Sequence, residues 1–140
     1  MRLMIGVLAL AGGVIAASSA VFAQEAETDC KDPQTQMEMT SCEQDRYGEA
    51  DKALNAQWKT TRAQMAEVDK NQEENDRGAE KALLTAQRAW ISYRDAQCEA
   101  EGFQARGGSM EPMLVAGCLA NLSDTRTKEL KALSDALGNN

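Results

Sequence analysis

The chain has 140 residues, with 22 acidic and 15 basic side chains and no histidine. Its net charge of −7 at neutral pH argues against binding to nucleic acids or anionic membranes, and it favours basic partners through long-range attraction. The length is that of one domain. The absence of histidine and of any CxxC pair argues against a zinc site and against a thioredoxin-like redox centre, so we expect no metal and no cofactor.

The N-terminus has the features of a secretion signal. Arg2 provides a positive charge, residues 3–17 form an apolar run too short for a good transmembrane span, and small residues precede a predicted cleavage site after Ala23. No cysteine follows that site directly, which argues against a lipid anchor. We therefore expect residues 1–23 to be a signal peptide. The product should be a periplasmic or secreted protein with no membrane anchor and a net charge of −8 once Arg2 is lost.

The first predicted helix follows a loose polar lead over residues 24–34. Thr35 and Glu38 match a capping box, so the helix should begin at about Gln36, and it should continue to about Val68. Its apolar positions recur at three- and four-residue spacing, as expected for one buried face. They are Met39, Tyr47, Ala50, Leu54, Trp58, Met65 and Val68.

The second predicted helix comes after residues 69–78, which carry no apolar side chain and form a connection. Asn75 or Asp76 is available to cap this helix, which should run from about Ala79 to about Ala100. One broad face of it is apolar. That face contains Leu83, Leu84, Trp90, Ile91, Tyr93 and Cys98.

Three glycines within residues 102–108 should end the second helix. Ser109 can cap a third helix, with Pro112 tolerated in its first turn. The apolar face of the third helix contains Val115, Cys118, Leu119, Leu122, Leu130, Leu133 and Leu137, together with Arg126. No stretch has the alternation of a strand. The sequence therefore predicts an all-α fold, a small antiparallel three-helix bundle over residues 35–137 that is stapled by two disulfides.

Arg94 lies near the middle of the apolar face of the second helix, beside Trp90. A buried guanidinium needs a partner, because an uncompensated buried charge costs several kcal/mol. If the first two helices form a hairpin, Asp51 comes to about the same height, and we predict a buried Asp51–Arg94 pair. In the alternative arrangement, Arg94 extends its charged group to solvent. Asp95 falls on the outward side of the same helix.

Cys30, Cys42, Cys98 and Cys118 predict two disulfides, because an even number of cysteines in a small exported domain is typical of a disulfide framework. Three pairings are available. The local pairs, Cys30–Cys42 and Cys98–Cys118, depend least on the register between helices, and we favour them. The nested alternatives, Cys30–Cys118 with Cys42–Cys98 or Cys30–Cys98 with Cys42–Cys118, would tie all three helices together at one end.

Several motifs occur in order along the mature chain. They are Thr35-x-x-Glu38 with Cys42, Tyr47-x-x-Ala50-Asp51-x-x-Leu54-Asn55, Gln87-Arg88-Ala89-Trp90-Ile91-x-Tyr93-Arg94-Asp95-Ala96-x-Cys98, Gly107-Gly108-Ser109, Pro112, Cys118 and Thr125-Arg126. From Cys30 to about Leu133, the chain resembles the LprI-like lysozyme-inhibitor family of exported bacterial proteins. The resemblance implies inhibition of lysozyme, without an agreed set of contact residues. Because the chain lacks the lipobox of the lipoprotein members, it implies a free periplasmic form.

An exported binding protein that inhibits lysozyme by protein–protein contact is the first function that these features suggest. Lysozymes cleave with two carboxylates in a cleft and are commonly basic, so an acidic inhibitor would be attracted to them. The candidate partner-binding loop consists of Arg106, Gly107, Gly108 and Ser109. Arg106 can offer a guanidinium to the cleft carboxylates; in the alternative interpretation it is a solvated loop residue.

Two other functions are to be compared with inhibition. The first is an enzyme, which we do not expect, because the chain has no nucleophile elbow, phosphate loop or metal cluster. The second is a structural or stress-related periplasmic protein that binds another envelope partner and has no role toward lysozyme. The cysteines, Asp51 and Arg94 have structural explanations, so the motifs specify the fold more directly than the function.

Overall fold

The computed structural model describes residues 29–138, which form three α-helices and two short 3₁₀ turns. Helix α1 spans Gln36–Asn71, α2 spans Ala79–Gly102 and α3 spans Glu111–Gly138. The predicted all-α architecture is confirmed, and the described residues contain no strand. The expected signal peptide over residues 1–23 and residues 24–28 of the lead lie outside the part described. None of the three helices is apolar enough over a sufficient length to cross a membrane.

Helices α1 and α3 run parallel and pack along most of their lengths. Near one end, the Gln36 side-chain amide lies 3.4 Å from the Met113 sulfur. Further along, the buried Thr61 hydroxyl donates to the Leu130 carbonyl at 3.0 Å. The two helices therefore advance in the same direction, as the first and third members of an up–down–up bundle.

Helix α2 runs antiparallel to its neighbours and lies against both of them. Near its start, Glu80 pairs with Arg62 of α1 at 2.7 Å. Near its end, a Cβ on Gly102 would lie 2.7 Å from the Val115 side chain of α3, so only glycine permits the observed approach of these two helices. Helix α2 thus begins against α1 and ends against α3.

The start of α1 is capped as the sequence predicts. The Thr35 hydroxyl accepts from the Glu38 amide at 3.1 Å, and the Glu38 carboxylate accepts from the Thr35 amide at 2.8 Å and from the Gln34 amide at 2.7 Å. These backbone donors lower the pKa of Glu38. The helix continues to Asn71, three residues beyond the predicted end. The first residues of the polar connection are therefore helical.

The cap of α2 differs from the prediction, and Asn75 and Asp76 do not provide it. Asp69, in the last turn of α1, accepts from the amides of Gly78 and Ala79 at 2.8 Å each and from that of Glu80 at 3.0 Å. The backbone φ of Gly78 is 142°, an angle that residues other than glycine rarely adopt. One carboxylate therefore closes the connection between the two helices.

We expect Asp69→Asn to lower the melting temperature at neutral pH. The three backbone donors lower the pKa of Asp69 from its ordinary value of 3.8. A depressed folded-state pKa contributes stability above the unfolded-state value, and that contribution is lost as the pH falls through the folded-state pKa. Circular dichroism melts from pH 7 to about pH 3 should therefore show the penalty of Asp69→Asn shrinking with acid. Asp76→Asn, on the exposed connection, is the control, and identical curves for both variants would contradict the capping role.

The apolar core is built around Leu54, Leu83 and Leu130, one from each helix, with Trp58, Met65, Trp90 and Leu133 packed against them. The most deeply buried stripe of α3 runs through Leu130 and continues along small residues, including Ala116, Ala120 and Ser123. This stripe contacts α1, since the Leu130 carbonyl accepts from the Thr61 hydroxyl and Ser134 bonds to Gln64. The buried side of α3 is therefore shifted toward small residues, away from the apolar face that the sequence predicted.

The buried stripe of α2 is narrower than predicted. Tyr93 is 55% exposed and Ile91 39%, although both lie on the broad apolar face that the sequence predicted. The side chains that face the bundle are Leu83, Gln87, Trp90, Arg94 and Cys98. Because α2 packs against α1 and α3 from one side, only the centre of its broad apolar face is buried.

Both disulfides follow the local scheme. Cys30–Cys42 joins the lead to α1 with Cα atoms 5.5 Å apart, and Cys98–Cys118 joins α2 to α3 with Cα atoms 5.4 Å apart. The favoured pairing is thus confirmed and the nested alternatives are wrong. Cys98 and Cys118 are buried, whereas Cys30 is exposed. Both bridges lie at one end of the bundle, which we call the disulfide end.

Candidate functional site

The predicted partner-binding loop is a compact turn at the disulfide end. Helix α2 ends at Gly102, and the 3₁₀ turn Phe103–Ala105 follows directly. Gly107 has a φ of 76°, and the Gly108 amide donates to the Ala105 carbonyl at 2.8 Å. The buried disulfide between the flanking helices holds both ends of this turn, so its backbone is ordered before any partner binds.

Arg106 is exposed, but its guanidinium already has partners. Its Nη1 lies 2.7 Å from Glu111 Oε1, and its guanidinium carbon lies 4.5 Å from the centre of the Phe103 ring. The other Glu111 oxygen accepts from the Gly107 amide at 2.7 Å. That amide is the main cause of the lowered pKa of Glu111. Glu111 therefore fixes both the backbone and the charged side chain of the loop.

Ser109 is exposed and does not cap α3 as predicted. The helix begins at Glu111, so Met110 occupies the position before its first residue. Instead of capping, Ser109 lies where two shallow depressions meet. One is lined by Met37 and Pro112, and the other by Phe103 and Met110.

Three large apolar side chains are exposed around this loop. Met37 is 82% exposed, Phe103 56% and Met110 46%. We call the continuous area that they form with the loop the apical surface, made of Met37, Phe103, Arg106, Gly107, Gly108, Ser109, Met110 and Pro112. The loop was predicted from the sequence, whereas the three apolar residues around it were not. The available signal was that each lies off the periodic face of the helix nearest to it.

A groove between α1 and α3 continues from the apical surface. It is lined by Gln44 and Tyr47 on one side and by Pro112, Val115 and Leu119 on the other. Pro112 and Gln44 also line the depression next to Met37, so the two features are continuous. Apolar surface thus extends from the tip of the bundle some way down its side.

The charge of the described chain is concentrated at the disulfide end. Residues 29–46 and 98–118 carry eight carboxylates and three cationic side chains. Residues 47–97 and 119–138 together carry twelve carboxylates and eleven cationic side chains, so they are nearly neutral. The exposed apolar side chains therefore lie in the most acidic part of residues 29–138.

The Asp51–Arg94 position lies halfway along the bundle and is separate from the apical surface. Arg94 Nη1 is 3.6 Å from Asp51 Oδ1, and the two side chains are 12% and 39% exposed. The position is therefore half-buried, not buried as predicted. Arg94 Nη2 has a nearer partner, Asp95 Oδ1 at 2.8 Å, although the sequence placed Asp95 on the outward side. An arginine side chain is long enough to reach back to a neighbour at the edge of its own helix.

Trp90 is flanked by two cationic side chains. The guanidinium carbon of Arg94 lies 5.3 Å from the centre of its ring, and that of Arg126 lies 5.9 Å away. Arg126 also donates to the Gln87 side chain at 3.0 Å and pairs with Glu129 at 2.8 Å. This cluster joins the three helices. Within residues 29–138 no group of three or more acidic or cysteine side chains is arranged to hold a metal ion.

The chain is similar to a known protein family and to a known relative. A family model described as "Lysozyme inhibitor LprI" matches residues 27–130. "Uncharacterized protein R02472" from Rhizobium meliloti (strain 1021) is 49% identical over 120 residues, which cover 84% of this chain and 86% of that protein. No solved structure matches the chain significantly.

Proposed function

We propose a function from one premise, which is that the chain belongs to the LprI family of lysozyme inhibitors. The protein inhibits a lysozyme-type cell-wall hydrolase by direct contact and is not itself an enzyme. It acts after export, in the periplasm or outside the cell, once residues 1–23 have been removed. The apical surface makes the contact.

The observation that carries this assignment is the exposure of Met37, Phe103 and Met110 around one ordered loop. Large exposed apolar groups that lie together on a small protein mark interaction sites, because their burial on binding supplies much of the affinity. The turn is already ordered by its hydrogen bonds and the neighbouring disulfide. Binding therefore costs little conformational entropy at this site.

Arg106 supports contact with the catalytic cleft of the partner. Lysozymes use a pair of carboxylates in that cleft, and a guanidinium can form two parallel hydrogen bonds with one carboxylate. In the free protein, Glu111 holds the Arg106 guanidinium at 2.7 Å. On binding, a cleft carboxylate replaces Glu111 as the partner of Arg106. An occupied cleft then excludes the polysaccharide substrate.

The test is the clearing of a bacterial cell-wall suspension by lysozymes of several classes, with and without the mature protein. We expect near-stoichiometric inhibition of at least one class. Phe103→Ala should weaken inhibition at least about tenfold, as expected for an aromatic anchor in an interface. Tyr93→Ala is the matched control, because Tyr93 is 55% exposed and Phe103 56%, and Tyr93 lies outside the apical surface.

The outcomes separate the function from the surface assigned to it. If no lysozyme class is inhibited, the proposed function is wrong, and a structural or stress-related role with another envelope partner replaces it. If inhibition occurs but Phe103→Ala and Tyr93→Ala have equal effects, the apical surface is not the site of contact.

A further inference from the structure

We infer that the apical surface receives a cationic protein surface, in which lysine and arginine side chains border the cleft and an apolar patch beside it, and that this partner approaches the bundle end-on. The inference rests on the proposed function and specifies the chemistry of the partner. It predicts that the protein distinguishes lysozymes by their charge.

Three carboxylates at the disulfide end are free to attract a cationic partner. Among the eight carboxylates of residues 29–46 and 98–118, several are already used within the fold, as Glu38 and Glu111 are. Asp32, Asp45 and Glu99 are exposed, and none of their carboxylates has a hydrogen-bond or ion-pair partner among the described residues. These three charges are available to a partner.

The bundle is long compared with the distance over which charges interact in salt solution. Helix α1 has 36 residues, which corresponds to about 54 Å at 1.5 Å per residue. Electrostatic interactions in water are screened over about 8 Å at physiological ionic strength. Charges on the connection 72–78, at the opposite end, therefore contribute almost nothing to the potential at the apical surface. The attraction felt by an approaching cationic protein is directed to the disulfide end.

The exposed apolar side chains of the apical surface supply the short-range contact. Long-range attraction accelerates encounter but does not by itself hold a complex together for long. Met37, Phe103 and Met110 provide contact area at the same end of the bundle as the three unpartnered carboxylates. An apolar centre with a charged rim is the usual anatomy of a specific protein interface. A partner that matches both parts has an apolar patch bordered by basic residues.

The experiment compares two triple variants that change the net charge equally. The apical triple is Asp32→Asn, Asp45→Asn and Glu99→Gln. The distal triple is Glu73→Gln, Glu74→Gln and Asp76→Asn, in the exposed connection at the other end. Association rates with a strongly basic lysozyme and with an acidic one are measured by surface plasmon resonance at increasing salt. Thermal melts establish that each variant is folded.

We expect the apical triple to lower the association rate with the basic lysozyme by roughly five- to tenfold at physiological salt, because steering effects begin at about that size. The distal triple should change it less than about twofold, and the difference should vanish at about 0.5 M salt. The acidic lysozyme should bind more slowly than the basic one. Equal effects of the two triples, or binding to the basic lysozyme that does not respond to salt, would overturn the inference and leave the proposed inhibition intact.

A second probe keeps the test decisive if no lysozyme binds at all. A fluorescent oligolysine peptide is titrated against the unmodified protein and both triples. Weaker binding by the apical triple alone would support a cationic partner even if the proposed function has failed. Equal binding by all three proteins would overturn the inference independently of any lysozyme.

Discussion

Replacing Cys98 and Cys118 together by alanine is expected to lower the free energy of unfolding by about 3 kcal/mol or more. The bridge closes a sequence separation of 20 residues, so its loss releases a substantial part of the denatured chain from constraint. Both sulfur atoms also belong to buried residues between α2 and α3, and their removal leaves a gap in that contact. Urea denaturation followed by circular dichroism measures the change.

The Cys30→Ala and Cys42→Ala double variant is the comparison. Its bridge closes a separation of 12 residues, so the chain-entropy contribution is similar. Cys30 is exposed, however, and its loss frees only the lead before α1. We expect the buried bridge to cost more. If the exposed bridge costs as much as the buried one, then packing around Cys98 adds nothing to its effect.

Arg94→Ala is expected to destabilise the protein by about 2 kcal/mol, because the Arg94 side chain is only 12% exposed and packs beside two aromatic rings, whereas its carboxylate partners are 39% and 57% exposed. The change leaves Asp51 and Asp95 without their cationic partner and opens space beside Trp90 and Tyr47. Arg88→Ala, on the exposed side of the same helix, should cost less than about 1 kcal/mol. Equal melting temperatures for the two variants would contradict the structural role of Arg94.

Arg94→Lys separates charge from shape at the same position. Lysine keeps the positive charge but not the planar guanidinium, whose carbon lies 5.3 Å from the Trp90 ring and 5.8 Å from the Tyr47 ring. An intermediate melting temperature is expected. Full recovery of wild-type stability would mean that the ion pairs alone account for the loss in Arg94→Ala.

Local sequence signals predicted much of the fold. The capping box at Thr35 and Glu38 determines where α1 begins, because both of its hydrogen bonds join residues three apart. The local disulfide pairs follow from the same logic, since neither needs the register of distant helices. Arg94 was placed correctly beside Trp90 because helical periodicity alone determines its angle.

The features that the sequence did not predict depend on contacts between distant segments. Asp69 caps α2 across nine residues, and no local pattern distinguishes it from Asn75 or Asp76. The face of α3 that contacts α1 includes Ala120 and Ser123, which are too small or too polar to form a recognisable apolar stripe. Tyr93 is exposed because nothing within residues 29–138 covers that side of α2.

The candidate site was predicted only in part for a similar reason. Glycine spacing identifies the loop, but it does not reveal that Glu111 holds Arg106 or that Phe103 lies beneath its guanidinium. Met37 comes from a different helix, and it joins the apical surface only because α1 and α3 run parallel. A surface assembled from separate helices has no sequence motif of its own.

The parallel course of α1 and α3 has a consequence for the acidic character of the disulfide end. Both helices begin there, and the aligned peptide dipoles place a partial positive charge of about half an elementary charge at each helix start. Helix α2 ends there and offsets one of the two. Glu38 and Glu111, in the first turns of α1 and α3, therefore lie where the backbone itself carries a compensating positive potential. These two acids are stabilised where they stand, so the helix starts offset part of the repulsion that the excess of acidic side chains creates at the disulfide end.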